Sequence, residues 1–348
     1  RVLMTFRSTP ALPHIRSAFF ATIGIWLGSL ALIAPSTAQA APQVIASIKP
    51  IHSLVSAVMG ETGAPDLLIE GAGSPHGYQL KPSQAARLQD ANVIFWIGPE
   101  LESFLDKSIE TVATKAKSVA LIDAPDVQSL PPRAGGTIEE HDHDGDTGHE
   151  AEHDHDAKHD SGHESEHEEG HDHHGEPVDP HVWLDPENAK AFVKTIAETL
   201  SAEDPGNAEI YRTNAASEIE RLDAMSADIN AKLLPVRGRP FVVFHDAYQY
   251  FEHRFNMEAA GSITVNPELK PGAERVNEIR TKLKDLQAAC VFSEPQFEPK
   301  IIKVVTEGTS ARAGVLDPLG ADLAAGPDQY QNLLMGMADA FVDCLTTE

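Results

Sequence analysis

A run of histidine and carboxylate in the middle of the chain, from Glu139 to Glu176, limits how the rest of the sequence can fold. Within 38 residues it holds sixteen Asp or Glu, eleven of the chain's seventeen His and one Lys, and alanine is its only apolar side chain. A segment of this composition cannot build a hydrophobic core. Any folded lobe must therefore come from the sequence on either side of it.

The same tract predicts a flexible loop that collects metal ions. A run of charge is usually only solvated, but solubility does not require histidine, and neutral imidazole is a common ligand for zinc, copper and nickel near pH 7. We therefore interpret the tract as a set of auxiliary zinc sites. Its histidines are His141, His143, His149, His153, His155, His159, His163, His167, His171, His173 and His174.

Residues 1–40 have the pattern of a secretory signal peptide. Arg1, Arg7 and Arg16 occur without any acid, an apolar run follows from Ala18 to Ala34, and Ala38-Gln39-Ala40 fits a small-x-small cleavage site. A membrane anchor is the alternative, but the run is shorter than the ~20 residues that a span needs. We predict cleavage after residue 40 and a soluble protein outside the cytoplasm, without a lipid anchor because no cysteine lies near that site.

Charge and length narrow the class of protein further. The net charge of −26 makes nucleic acid and anionic membranes poor partners. The remaining 308 residues exceed the usual size of one domain, so we expect two globular domains. We also expect the protein to be a monomer.

Short apolar runs that end at turn residues indicate buried parallel strands on both sides of a helical middle. Four runs precede the tract and four follow the middle, which predicts an α/β fold with two Rossmann-like βα lobes, each holding a four-stranded parallel sheet. The predicted strands are 44–48, 66–69, 93–97 and 119–122 in the first lobe, and 241–244, 258–263, 289–293 and 312–316 in the second.

The middle contains two helix starts of the same kind, Asp185-Pro186 and Asp204-Pro205, in which a capping residue precedes a proline. The second opens an apolar stripe that continues to Pro235 and predicts one long rigid helix of about 45 Å between the lobes. The predicted domains are the signal peptide 1–40, an N-terminal lobe 41–203 that contains the loop 135–177, a linking helix 204–235 and a C-terminal lobe 236–348.

Four residues that follow a predicted strand or enter a turn are candidate metal ligands: His76, His181, His245 and Asp317. In open parallel sheets the binding crevice lies beyond the carboxyl ends of the strands. Three imidazoles and one carboxylate would form a tetrahedral set suited to zinc. Each residue also has a structural explanation: His76 could cap a turn, His181 could pack beside Trp183, and His245 could be a core histidine.

Two further histidines, His52 and His253, are weaker candidates because the pattern places them within or on the flank of a helix. The two cysteines, Cys290 and Cys344, form an even pair in an exported protein, so we predict a disulfide. Two buried thiols are the alternative.

Several motifs together resemble the cluster A-I (cluster 9) solute-binding proteins of metal ABC transporters, and in particular their periplasmic zinc-binding subgroup. The resemblance covers essentially the whole chain after residue 40. The motifs that carry it are Ile48-Lys49-Pro50 to His52, Ser74-Pro75-His76 with Lys81-Pro82-Ser83, Asp179-Pro180-His181-Val182-Trp183-Leu184-Asp185, Phe244-His245-Asp246-Ala247-Tyr248, Ser293-Glu294-Pro295-Gln296 and Asp317-Pro318-Leu319-Gly320.

The resemblance implies a metal held between two lobes by His76, His181 and His245, with histidine instead of glutamate at position 245 favouring zinc over manganese. The cysteine pair and the histidine-rich loop also resemble the zinc subgroup. One position departs from it, because zinc-binding relatives carry an acid just before the first histidine where this chain has Pro75. We therefore predict Asp317 as the fourth ligand, with water as the competing occupant.

These features favour a non-enzymatic receptor that binds Zn²⁺ in the periplasm and delivers it to a membrane permease driven by a cytoplasmic ATPase. Other periplasmic zinc proteins are further candidate partners. Two alternatives remain at the level of sequence. One is a zinc hydrolase with an activated water and Glu294 as the base, and the other is a periplasmic zinc buffer without a transporter.

Overall fold

The computed structural model describes residues 41–133, 177–264, 267–268, 271–297 and 300–346. The predicted signal peptide and the Glu139–Glu176 tract, with all eleven of its histidines, lie outside these ranges. Within them, no helix combines the length and the apolar character that crossing a membrane requires.

Among the described residues, eight strands form two sheets of four, and every pairing between neighbouring strands is parallel. The strand order is β2-β1-β3-β4 in the first sheet and β6-β5-β7-β8 in the second, which confirms the predicted pair of parallel four-stranded lobes. The strands are β1 Val44–Ala46, β2 Asp66–Leu67, β3 Val93–Trp96, β4 Lys117–Ala120, β5 Phe241–His245, β6 Ala259–Thr264, β7 Cys290–Ser293 and β8 Arg312–Val315.

Strand β4 differs from its predicted position by two residues. The apolar run predicted a strand over 119–122, whereas the strand covers Lys117–Ala120 and a 3₁₀ turn covers Leu121–Asp123. Leu121 and Ile122 of that turn are buried but do not pair with another strand. The apolar run in the sequence therefore continues past the end of the strand. The first residues of β4 are polar because this strand lies at the edge of the sheet and is only half buried.

Nine α-helices accompany the strands in the described ranges, and the long middle helix is shorter than predicted. It is preceded by a 3₁₀ turn at Pro205–Asn207 and has 26 residues, which corresponds to about 39 Å. The helices are α1 Lys49–Met59, α2 Pro82–Asp90, α3 Ser103–Thr111, α4 Pro186–Glu203, α5 Ala208–Leu233, α6 Gln249–Phe255, α7 Ala273–Asp285, α8 Lys300–Thr306 and α9 Gln329–Leu345.

Helix α4 begins as predicted. The Asp185 side chain accepts a hydrogen bond from the backbone N–H of Glu187 at 2.8 Å, and Pro186 occupies the first helical position. The same carboxylate also binds the Arg254 guanidinium of α6 at 2.7 and 2.8 Å. The helix cap therefore also joins the two lobes.

The hydrophobic core continues from one lobe into the other. A single cluster of buried side chains includes Phe95 of the first sheet, Leu222 of α5, Phe292 of the second sheet and Phe341 of α9. Buried side chains of α4, α5 and α9 belong to this shared cluster. Each lobe also has a smaller buried cluster of its own.

A second connection between the lobes is polar and centres on Lys49, at the start of α1. Its ammonium donates hydrogen bonds to three backbone carbonyls of the C-terminal lobe, those of Gly320 at 3.1 Å, Ala321 at 2.5 Å and Leu323 at 3.0 Å. Lys49 is only 9% exposed. A buried ammonium requires such partners, since an unpaired one would be strongly unfavourable.

The predicted disulfide between Cys290 and Cys344 is present and joins β7 to the last helix, α9. The two residues are 54 positions apart in the sequence. The bond therefore closes a large loop that contains β7, α8, β8 and most of α9.

Candidate metal centre

His245 is the last residue of β5, the strand flanked by β6 and β7 in the second sheet. The chain leaves β5 on one side for β6 and returns on the other side as β7, so the strand end lies at the topological switch point where α/β sheets bind ligands. The four residues before His245 are all buried, and His245 itself is 3% exposed. The strand therefore holds the imidazole inside the molecule.

His181 is held by a local turn. The carboxylate of Asp179, two residues earlier, accepts hydrogen bonds from the His181 backbone N–H at 3.0 Å and from its Nδ1–H at 2.7 Å. Pro180 lies between them, and a 3₁₀ turn over Val182–Leu184 follows. This arrangement fixes both the backbone and the ring, so that Nε2 is the free nitrogen.

His76 belongs to the segment between β2 and α2 and is the most exposed of the three histidines. Its ring centroid lies 5.2 Å from that of His181 and 5.3 Å from that of His245. The N-terminal lobe thus supplies His76 and His181, and the C-terminal lobe supplies His245. The cluster forms where the two lobes meet.

The three histidines present their Nε2 atoms to one point. Nε2 of His181 lies 3.2 Å from Nε2 of His76 and 3.1 Å from Nε2 of His245. Zn–N bonds of 2.0–2.1 Å in a tetrahedron require nitrogens about 3.3 Å apart. Within the described ranges, this is the one group of three or more potential His, Cys, Asp or Glu ligands whose ligand atoms all lie within 4.8 Å of one another.

Buried carboxylates hold two of the rings from behind. Asp179 accepts from Nδ1–H of His181, and Glu294 accepts from Nδ1–H of His245 at 2.9 and 3.1 Å. The Tyr248 hydroxyl also donates to Glu294 at 3.0 Å. A carboxylate on the far nitrogen is the usual support of a metal-binding histidine, because it fixes the tautomer and makes the other nitrogen a stronger ligand.

The protonation of the cluster follows from burial and from these carboxylates. Burial, with the neighbouring imidazoles, lowers the pKa of His76 to about 2 and the pKa of His181 well below its usual value. Burial is the strongest single influence on His245 and disfavours its charged form, but the charge and hydrogen bond of Glu294 together with the charges of Asp246 and Asp179 outweigh it and raise the pKa of His245. Two imidazoles are thus neutral and ready to bind a cation, and His245 is the site that a proton occupies first.

Zinc affinity is expected to decrease as the pH falls, beginning above pH 6.5. Since the pKa of His245 is raised above 6.5, its protonated form is present below that raised pKa and competes with the metal. At lower pH the affinity should fall about tenfold per pH unit for one displaced proton. Zinc titrations between pH 8 and pH 5, with proton release measured in two buffers, check this. An affinity that does not change between pH 7.5 and pH 5.5 would contradict it.

The structure does not bring Asp317, the predicted fourth ligand, into this group. Its Oδ1 accepts hydrogen bonds from Gln296 Nε2 at 2.7 Å and from the Leu319 N–H at 3.1 Å, and its Oδ2 accepts from the Ala321 N–H. Both oxygens are therefore used within the C-terminal lobe. In this arrangement Asp317 organises the loop that follows β8, and its role as a direct ligand stays a prediction.

The two weaker histidine candidates also lie away from the cluster. Nε2 of His52 is 3.0 Å from the Pro65 carbonyl oxygen, and its Nδ1 is 3.4 Å from the Ser56 hydroxyl. His253 is exposed on α6. The first is a hydrogen-bonded core histidine, and the second lies on the surface, as the helical spacing indicated.

Sequence reasoning missed Asp179 and Gln296 and considered Glu294 only as a base. A signal existed for Asp179, because an aspartate two residues before a ligand can fold back onto it across a proline. A weaker signal existed for Glu294 and Gln296. Both follow the end of β7 and so lie across the switch point from His245. Neither residue carries a pattern that distinguishes a supporting role from a surface turn.

The cluster is reached from solvent through a polar cleft of about 530 Å³. Its wall includes His76 and His181, acidic residues from both lobes and one cation, Arg133, whose guanidinium binds Glu252 of α6 at 2.9 Å. The acidic residues are Glu100, Asp179, Asp246 and Glu268. The excess of carboxylate gives the cleft a negative potential that attracts cations.

A profile of the family described as "Zinc-uptake complex component A periplasmic", abbreviated ZnuA, matches residues 44–344. The chain belongs to this family. The earlier resemblance to metal-binding receptors of this kind is thereby confirmed, and with it the expectation that the protein is not an enzyme.

Curated relatives in the ZnuA family match along most of their length. A protein of Brucella suis biovar 1 (strain 1330) called "High-affinity zinc uptake system protein ZnuA" is 54% identical over 306 residues, which cover 87% of this chain and 91% of that protein. The protein of the same name from Paracoccus denitrificans (strain Pd 1222) is 41% identical over 320 residues, covering 92% and 95%.

Solved structures of the ZnuA family share the fold. A crystal structure of ZnuA matches with a TM-score of 0.70 at 23% identity, covering 88% of this chain and 100% of that one. A ZnuA deletion mutant lacking 138–173 in that protein's own numbering, with zinc bound, matches with a TM-score of 0.66 at 23% identity, covering 88% and 99%. At this level of identity they support the two-lobe fold alone.

Proposed function

We propose that the protein is the high-affinity zinc receptor of an ABC importer, binding Zn²⁺ in the periplasm with His76, His181 and His245. The observation that carries the proposal is the convergence of three Nε2 atoms at separations of 3.1 and 3.2 Å between two lobes. Two of these histidines already have carboxylate partners on their far nitrogens. The relatives named for zinc uptake support the same function.

The ligand set favours zinc over manganese. Manganese prefers carboxylate, carbonyl and water oxygens, whereas imidazole nitrogen suits zinc. The nearest carboxylates, Asp179 and Glu294, bind the far nitrogens of the histidines and so do not replace them at the metal. The site therefore presents imidazole nitrogens to the ion, and its carboxylates contact the histidines instead of the ion.

The partners that follow are a membrane permease and its cytoplasmic ATPase, to which the bound ion is delivered. The histidine-rich tract acts as a set of auxiliary, weaker sites that raise the local supply of zinc. A protein that only buffered zinc would need neither partner. Deleting the permease genes separates the two roles, because growth under chelation then fails for a receptor and is unchanged for a buffer.

The hydrolase alternative is disfavoured by the position of Glu294, its candidate base. That carboxylate accepts from Nδ1–H of His245 and from the Tyr248 hydroxyl, on the side of the imidazole opposite the converging Nε2 atoms. A general base must reach the water that it activates. Glu294 is instead engaged in holding a ligand.

Deleting Glu139–Glu176 is expected to leave one tight zinc site per protein and to remove only weaker ones. The reason is that none of the three clustered histidines belongs to the tract. Calorimetric zinc titration of the mature chain and of the deleted chain measures this. His76→Ala, His181→Ala and His245→Ala in the deleted chain should each strongly weaken the remaining tight site.

The opposite result would relocate the function. If deleting the tract removes tight binding, and the three histidine substitutions do not change tight binding in the full chain, the tract is the principal site and the receptor proposal is wrong. His253→Ala is the matched control, because that histidine is exposed on α6 and lies outside the cluster.

A further inference from the structure

Two buried tyrosines at the start of α6 contact the groups that hold His181 and His245. Tyr248 directly precedes the helix, and Tyr250 is its second residue. The two tyrosines are 0% and 1% exposed. Burial raises the pKa of both phenols, so each hydroxyl keeps a proton that it can donate. Both side chains therefore act as hydrogen-bond donors inside the protein.

The Tyr248 hydroxyl lies behind the histidine of its own lobe. It donates to Glu294 Oε1 at 3.0 Å, and the Leu316 carbonyl oxygen at the end of β8 lies 3.3 Å away as a second acceptor. Glu294 in turn accepts from Nδ1–H of His245 at 2.9 Å. Tyr248 thus fixes the carboxylate that fixes the imidazole.

The Tyr250 hydroxyl reaches into the N-terminal lobe. It donates to the Asp179 carbonyl oxygen at 2.8 Å and accepts from the Leu130 N–H at 2.9 Å. The Asp179 N–H donates to the Leu130 carbonyl oxygen at 2.9 Å, so the hydroxyl closes a ring of three hydrogen bonds. Because the Asp179 carboxylate accepts from Nδ1–H of His181, the position of this backbone determines the position of the imidazole.

Helix α6 has further polar contacts with the N-terminal lobe. The Arg133 guanidinium donates to Gln249 at 3.0 Å and to Glu252 at 2.9 Å. One turn later, Arg254 donates to both oxygens of Asp185, the cap of α4. The start of α6 is therefore a place where the C-terminal lobe holds the N-terminal lobe and also supports its own metal-binding histidine.

We infer that Tyr248 and Tyr250 are positioning residues for zinc, through which the contact between the lobes at α6 keeps His181 and His245 converged. This inference rests on the proposed function and concerns how the site is held and released. A displacement of α6 from the N-terminal lobe breaks the bonds of Tyr250 and shifts Tyr248 with the helix. One histidine from each lobe then loses its support, so a membrane partner that moves α6 lowers zinc affinity without contacting the ion.

Tyr248→Phe and Tyr250→Phe test the inference, because each removes only a hydroxyl group. One hydrogen bond corresponds to a factor of about 2 to 10 in an equilibrium constant. We expect each variant of the full chain to bind zinc more weakly by about this factor in competition with a chelator at pH 7.5, and to release zinc faster in stopped-flow measurements with excess chelator.

Tyr211→Phe is the matched control. Tyr211 is also fully buried, and its hydroxyl donates to a carboxylate, that of Asp204, at 2.8 Å, but it lies on α5 away from the cluster. We expect this variant to lose thermal stability without zinc as the other two do, and to keep the zinc affinity and dissociation rate of the unaltered protein. A loss of affinity in Tyr211→Phe equal to that in the other two variants would make their effect one of general stability and overturn the inference.

A double-mutant cycle checks that Tyr248 acts through Glu294. Residues in one hydrogen-bond network are not additive. Tyr248→Phe should therefore have much less effect on zinc affinity in a Glu294→Ala background than in the unaltered chain. Equal effects in both backgrounds would contradict this route, and unchanged affinity and release in both tyrosine variants would overturn the inference as a whole. If Tyr248→Phe does not fold, Tyr250→Phe decides the matter.

The proposed function fails in a different way. If His181→Ala leaves tight binding intact, the three-histidine site itself is wrong. If His181→Ala strongly weakens binding while Tyr248→Phe and Tyr250→Phe bind and release zinc as the unaltered protein does, only the role of the two tyrosines is wrong.

Discussion

Replacing His181 with alanine is expected to weaken zinc binding by about 100- to 1,000-fold. Zinc held by four protein ligands is bound with about 10–16 kcal/mol, so one ligand contributes about 2.5–4 kcal/mol, and each 1.4 kcal/mol is a factor of ten. The Nε2 atom of His181 lies 3.2 and 3.1 Å from the other two Nε2 atoms, so the substitution removes one of the three converging ligands. Chelator competition at pH 7.5 measures the loss.

The substitution also leaves Asp179 as a buried carboxylate without the imidazole that it supports. Burial already raises the pKa of Asp179 to about 6. Some stability is therefore expected to be lost along with the metal site, and thermal unfolding without zinc separates the two effects. Unchanged zinc affinity in a folded His181→Ala protein would refute the site, and His253→Ala should behave as the unaltered chain.

Removing the disulfide by the double substitution Cys290→Ala and Cys344→Ala is expected to lower the free energy of unfolding by about 4 kcal/mol. The bond spans 54 residues, and the chain-entropy model gives this value for a closed loop of that size. Urea unfolding of the oxidised protein and of the double variant, both without zinc, measures the difference. A second comparison measures urea unfolding of the unaltered protein before and after its disulfide is reduced with dithiothreitol.

Zinc affinity at 25 °C should survive the loss of the disulfide. Cys290 begins β7, whereas Glu294, which holds His245, follows the other end of that strand, about 13 Å away at 3.3 Å per residue. The bond therefore stabilises the C-terminal lobe at the edge opposite the metal centre. A difference in unfolding free energy below about 1 kcal/mol would show that the loop is already restricted in the unfolded chain.

Much of the fold could be predicted because buried parallel strands read as uninterrupted apolar runs. The exception, β4, shows the limit of that signal, since Leu121 and Ile122 are buried without being paired. The shared core between the lobes could not be predicted from single-strand patterns. It depends on which faces of α4, α5 and α9 meet, and apolar spacing does not specify the partner.

The candidate site was predictable to the extent that strand ends converge in α/β folds. His245 lies at a strand end, as this rule requires, whereas His76 and His181 lie in turns. Asp317 satisfied the same rule but its carboxylate binds Gln296 Nε2 and two backbone N–H groups. Turn geometry after a strand decides whether a carboxylate faces the ion or its own backbone, and residue type alone does not encode that difference.

The contacts of Lys49 have a kinetic consequence. Its three hydrogen bonds to carbonyls of the opposite lobe involve none of the candidate metal ligands and resist separation of the two lobes. On the proposed function, we expect the residence time of a bound ion to depend on how rarely this interface separates, so quick delivery would require a partner that pulls the lobes apart.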